Sequence, residues 1–226
     1  MRLHREPPGI HTFGMAATAI PATMRESFVL EGVSFDLYER LVQELDGQHV
    51  FITFDRGRLE FMSPSPEHEW WKRLIGRLID LLALERAVAA EALGSTTFKR
   101  RDLAKGLEPD DCYYLRGARE LRREREADLM RHPPPDLVVE VDITHRAIDR
   151  EAIYAAMGVA EVWRFDGQAL TFLVLQPDGA YKQAETSTGF PGLRAADFLR
   201  FLKLAEEKDQ NAAVLAFRDW IRSGGA

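Results

Sequence analysis

The sequence predicts a mixed α/β domain of the α+β kind: a mixed β-sheet flanked by helices. Three observations carry this prediction. Strand-like segments cluster in the middle of the chain, between a helical stretch at residues 33–45 and another at 195–222. A long amphipathic helix is written into residues 67–90. Residues 135–144, Pro-Asp-Leu-Val-Val-Glu-Val-Asp-Ile-Thr, alternate with period two as a strand does.

Composition narrows the field. A chain of 226 residues with 46% hydrophobic content can close one sizeable core, and residues 26–226 read as a single domain. The formal net charge of −6 argues against nucleic-acid binding by bulk electrostatics, so such a partner would need a local basic patch. Cys112 is the only cysteine, which excludes an intramolecular disulfide framework and a Cys-based zinc site and suits a reducing cytoplasm. No apolar run is long enough to span a membrane. Residues 1–25 lack the continuous apolar stretch of a signal peptide and read as a mobile tail.

The elements follow in order. Ser34 is placed to cap the first helix, whose apolar stripe is Leu37, Tyr38, Leu41, Val42 and Leu45. Strands at 50–54 and 58–62 join at Asp55-Arg56-Gly57. Ser63-Pro64-Ser65-Pro66 makes a stiff turn into the long helix, with Trp71, Leu74, Ile75, Leu78, Leu81 and Leu82 as its buried face. Strands follow at 95–100 and 107–115. Residues 116–135 are highly charged and read as a surface excursion or a short exposed helix. After the 135–144 strand comes a helix at 148–157, with Gly158 where a C-terminal cap belongs. Further strands are expected at 161–165, 170–176 and 181–184.

The 135–144 strand carries acid where a buried strand should be apolar. Leu137, Val139, Val141 and Ile143 share one face; Asp136, Val138, Glu140, Asp142 and Thr144 share the other. Glu140 and Asp142 therefore stand roughly 7 Å apart on one face, at about 3.3 Å per residue. A divalent metal would offset the cost of burying them; the plainer alternative is an edge strand whose acidic face meets water. A second acidic group, Glu108-Pro109-Asp110-Asp111, opens another strand. If the two strands pair, Asp110, with Asp111 in reserve, can face Glu140; otherwise it is an acidic turn. Asp136, roughly 13 Å from Glu140 along the strand, belongs to the start of the strand.

Other candidates are weaker signals. Glu67 and His68 open the long helix, where they either answer the helix dipole or aim a carboxylate or imidazole into a cleft. Arg150 can steady phosphate charge or sit as a solvated helix cation. Lys99, Arg100 and Arg101 form the best local basic patch, with Lys99 and Arg101 the candidate nucleic-acid contacts. Arg119, Arg122, Arg123 and Arg125 alternate with glutamates as a solvated face would. The four tryptophans read as packing. Gly-rich phosphate loops, Gly-x-Ser-x-Gly and His-Glu-x-x-His are absent from the sequence.

Four ordered blocks over residues 28–203 resemble a large bacterial family described as putative restriction endonucleases: 59–69 (LEFMSPSPEHE), 106–114 (GLEPDDCYY), 134–144 (PPDLVVEVDIT) and 153–163 (IYAAMGVAEVW). That family is similar to the PD-(D/E)xK nucleases. The resemblance implies a restriction-endonuclease-like core, with Asp110 as first carboxylate and Glu140 as second, binding Mg2+, with Mn2+ as substitute. The family's lysine position holds Asp142 here, and Arg150 stands where members often place a lysine on the following helix. Arginine keeps the charge but does not readily give up a proton.

These readings combine into a Mg2+-dependent DNA endonuclease. Asp110, Glu140 and Asp142 would hold the metal, Arg150 would steady charge, and Glu67 or His68 would orient water. The alternatives are a degenerate nuclease-fold module that binds nucleic acid or a protein partner, and a hydrolase of another phosphate ester. Exposed strands and the C-terminal helix offer surfaces for a homodimer.

Overall fold

A computed structural model describes residues 27–115, 126–143 and 146–225. The expected N-terminal tail (1–25), the first half of the charged excursion (116–125) and Thr144 lie outside the described residues. Among the described residues, twelve strands and five α-helices follow one another as β1 (Phe28–Leu30), α1 (Phe35–Glu44), β2 (Phe51–Asp55), β3 (Arg58–Met62), α2 (Pro66–Glu85), β4 (Glu91–Ala92), β5 (Thr97–Arg100), β6 (Lys105–Leu107), β7 (Asp111–Tyr114), β8 (Glu126–Asp128), β9 (Leu137–Val141), α3 (Arg150–Met157), β10 (Glu161–Phe165), β11 (Leu170–Leu175), β12 (Tyr181–Ala184), α4 (Ala195–Glu207) and α5 (Gln210–Arg222).

The predicted α+β class holds, with the strands divided between two six-stranded sheets, β1-β3-β2-β6-β5-β8 and β12-β11-β10-β9-β7-β4. Both are mixed: β9–β10 and β5–β8 are parallel pairs among otherwise antiparallel ones. In the second sheet, Leu137, Val139 and Val141 pack with Trp71, Leu74, Leu78, Phe198 and Phe217, which places α2, α4 and α5 on one face. Val138 on the other face meets Ile153, Tyr154 and Met157 of α3 together with Phe98 and Leu107 of the first sheet. Helix α1 covers the first sheet through Tyr38 and Val42 against Ile52, Phe54 and Leu59.

Local chemistry explains the boundaries. Ser34 does cap α1, accepting from the Leu37 amide. Arg56 and Gly57 both have positive φ, as the tight β2–β3 hairpin needs. The long helix stops at Glu85 instead of reaching residue 90. Ala87 adopts φ +53°, the Val88 amide donates to the Ala83 carbonyl and the Ala87 amide to that of Leu84. This is a Schellman ending built without the glycine that usually announces it. On α2, Ile79 is buried and Leu81 only partly, a small rotation from the expected face.

The expected 107–115 strand divides in two. Residues up to Leu107 pair with β2 and β5 of the first sheet, and Asp111–Tyr114 pair with β9 and β4 of the second. Between them Pro109, with no N–H to give a ladder, lies where the chain changes sheets. Just before this crossing, Gly106 lets the backbone pass against the buried Tyr38: a Cβ there would lie 2.2 Å from the Tyr38 hydroxyl. Gly106→Ala is expected to lose about 1–3 kcal/mol in urea unfolding by overpacking, whereas Gly179→Ala, with open space around it, should show only the strain of its φ of +82°.

Among the described residues, no helix is long and apolar enough to cross a membrane.

Candidate active site

Strand β9 is central, hydrogen-bonded to β10 on one side and β7 on the other, and all five of its residues are buried. The water-facing edge strand weighed above is therefore not what forms. Glu140 is a buried acid in the middle of a sheet, and burial at that cost demands partners.

Its partners are arginines. The Arg150 Nε and one terminal nitrogen donate to Glu140 Oε1 at 3.1 and 2.6 Å. The other terminal nitrogen donates to Thr53 Oγ1 at 2.6 Å, and the first also reaches the Glu108 carbonyl at 2.5 Å and the Tyr154 hydroxyl at 3.0 Å. The Tyr154 hydroxyl in turn donates to Glu140 Oε1. The donors of Arg150 are thus used on protein acceptors from β2, the sheet crossing, β9 and its own helix. Burial works against its charge, but the adjacent Glu140 carboxylate more than offsets this, so its pKa is held above the ordinary arginine value.

Asp110, fully buried, faces the same centre. Its Oδ2 accepts the Val141 amide at 2.6 Å, which ties the crossing segment to the end of β9. One Arg146 guanidinium nitrogen lies 3.4 Å from each Asp110 oxygen and 3.3 Å from Glu140 Oε2, so a single cationic group touches both carboxylates. Burial alone would raise the Asp110 pKa. Arg146, then His68 and Arg150, reverse that and hold it well below the usual carboxylate range. Asp111 looks the other way. Its carboxylate accepts from the Tyr113 hydroxyl at 2.9 Å and approaches Gly76 of α2, so Asp110, not Asp111, faces Glu140.

His68 enters because the Ser-Pro-Ser-Pro turn sets the start of α2: Ser65 caps the helix by accepting the His68 amide at 3.1 Å. The imidazole is fully buried, with Nε2 3.0 Å from Asp110 Oδ2. The contact is close but poorly aligned, and neither ring nitrogen has a well-formed hydrogen bond. Glu67, its neighbour, is exposed.

Asp142 shares a cleft of about 340 Å³ with Glu140, Arg146, Arg150, Tyr154 and Arg164. It is not grouped with Asp110 and Glu140 as a three-ligand set: among the described residues no three His, Cys, Asp or Glu side chains form one. Two carboxylates on one cation seat remain a donor set that suits Mg2+, which is commonly held by one or two carboxylates plus waters and phosphate oxygens.

Lys99 and Arg101 lie elsewhere. Lys99 is 3.4 Å from Glu39, and Arg101 pairs with Asp36 at 2.6 Å and with Glu39. The expected basic patch is met by acids of α1. Asp136, as read from sequence, holds the start of β9: its amide donates to the Tyr113 carbonyl and its carboxylate accepts the Leu115 amide.

Four groups of the centre were not singled out from sequence: Thr53, Glu60, Arg146 and Tyr154. Glu60, 2% exposed, accepts the Ala147 amide at 2.7 Å and that of Ile148 at 3.3 Å, docking the segment before α3 onto β3. The one available signal was spacing. Arg146, Arg150 and Tyr154 recur every four residues, and from Arg150 to Tyr154 that interval is one turn of α3.

A buried acid pair, drawn together where the chain passes between sheets and countered by arginines, defines a centre of the acid–cation class suited to phosphate chemistry. The chain belongs to the Uma2 family, described as putative restriction endonuclease, whose match spans residues 35–206. Among solved structures, a putative nuclease belonging to DUF820 from Anabaena variabilis is similar. It is 12% identical, with a TM-score of 0.46, and the alignment covers 63% of this chain and 85% of that one. No curated protein matches.

Proposed function

We propose that this chain is a divalent-metal-dependent DNA endonuclease, with Mg2+ as working ion and Mn2+ able to replace it. The observation that supports this best is the convergence of Asp110, from the sheet crossing before β7, and Glu140 of β9 on one shared cation seat. Asp110 and Glu140 would hold the ion. When bound, it would supply the acidified water and the polarised phosphoryl oxygen, since neither arginine readily accepts a proton.

The chain's own residues do the positioning. Arg150 and Tyr154 fix the Glu140 carboxylate, the Val141 amide fixes that of Asp110, and Arg164 and Arg146 line the cleft with charge suited to a phosphodiester. Cleavage of both DNA strands would call for two copies of the chain. A second reading, a module that binds nucleic acid or a protein without cutting, is favoured by Asp142 at the lysine position and by the full engagement of Arg150.

Supercoiled plasmid incubated with the protein in Mg2+, in Mn2+ and in EDTA, beside Asp110→Asn, separates the two. Ion-dependent nicking that disappears in the variant supports the nuclease. Nicking that survives in EDTA or in the variant places the activity elsewhere. Without nicking in either ion, the binding module stands.

A further inference from the structure

We infer that Arg146 is a resident counter-ion that occupies the metal seat and must leave for a divalent cation to bind, so that this side chain sets the metal affinity of the centre. The inference rests on the proposed metal-dependent reading.

The geometry is that of a placeholder. One Arg146 nitrogen stands nearly equidistant, 3.3–3.4 Å, from three oxygens of the two carboxylates. Divalent cations draw such oxygens in to about 2.0–2.6 Å, so the seat is centred correctly but held open by about 1 Å. The fit is incomplete on the arginine side as well. The side chain is only 8% exposed, yet its Nε is buried with no hydrogen-bond partner among the described residues. Arg150, by contrast, spends its Nε and both terminal nitrogens on hydrogen bonds.

Charge points the same way. Asp110, Glu140, Arg146 and Arg150 sum to a formal charge of zero in a buried centre. Adding a divalent cation without displacing anything would leave two uncompensated positive charges where the dielectric is low. Displacing Arg146, which borders the open cleft, halves that excess; Arg150 is bonded to β2, β9 and the sheet crossing and has no such freedom.

The test is a Mn2+ titration of the full chain by calorimetry, with thermal unfolding in EDTA alongside, for wild type, Arg146→Gln, Arg146→Lys and Glu140→Gln. Arg146→Gln should bind Mn2+ on the order of tenfold more tightly than wild type. It should melt lower than wild type in EDTA, where its carboxylates lack their counter-ion, and gain more from Mn2+. Arg146→Lys, which keeps the charge, should stay near wild type. If wild type binds Mn2+, Glu140→Gln loses it and Arg146→Gln shows no gain, the Arg146 inference falls and the metal-dependent reading survives. If folded Arg146→Gln and wild type both fail to bind, the two fall together.

Discussion

Glu140→Gln is expected to reduce metal-dependent DNA nicking by on the order of a thousandfold or more while leaving a folded protein. The substitution keeps an oxygen that Arg150 can still engage, so the β2–β9–α3 tie is weakened, not cut. It removes the negative charge on which the proposed ion depends, and it leaves Arg146 and Arg150 facing Asp110 alone. A stability loss of about 1–3 kcal/mol should accompany it. Circular dichroism and urea unfolding of the same preparation separate the two effects. Equal nicking by variant and wild type would remove Glu140 from the chemistry.

Arg150→Ala is expected to have the largest effect on stability, about 3–5 kcal/mol in urea unfolding, because it strands a buried carboxylate. Glu140 would keep only the Tyr154 hydroxyl and the distant edge of Arg146, while Thr53 and the Glu108 carbonyl would lose their donor. Arg150→Lys keeps the charge, but one nitrogen cannot serve acceptors spread around a planar guanidinium, so about 1–3 kcal/mol should still be lost. An Arg150→Ala protein within about 1 kcal/mol of wild type would show that the clamp does not stabilise the fold.

Some of this centre could be read from the sequence, and the division has physical causes. Glu140 announces itself because acid on an apolar strand is costly, and Asp110 because an acidic group opens the neighbouring strand; the structure brings both to one guanidinium. The same rule has a counterexample in Glu161, a fully buried strand acid that the sequence reading passed over. Its carboxylate accepts from Trp163 Nε1, from the Thr188 amide and hydroxyl and from the Gly189 amide, so it anchors a loop far along the chain. Thr53 and Glu60 were silent because they lie on the other sheet, and local periodicity does not report on partners so remote. Lys99 and Arg101 looked like a patch because a count of charges cannot see Asp36 and Glu39 folding over them. The split of residues 107–115 between sheets was signalled only by Pro109, and the end of α2 by no residue type, since Ala87 does the work of a glycine.

The sheet crossing at Glu108–Asp110 has a consequence for how the protein comes into being. Arg150 meets Thr53 across 97 residues and Ala147 meets Glu60 across 87, so neither sheet alone holds the centre. Contacts at such separations form late, after the entropy of closing large loops has been met. A ribosome-bound chain that has extruded the whole first sheet still has Asp110 without Glu140, and a chain broken between residues 110 and 140 separates the two acids. If the mature protein cuts DNA, a partial chain ending between the two acids lacks the pair that the proposed ion needs.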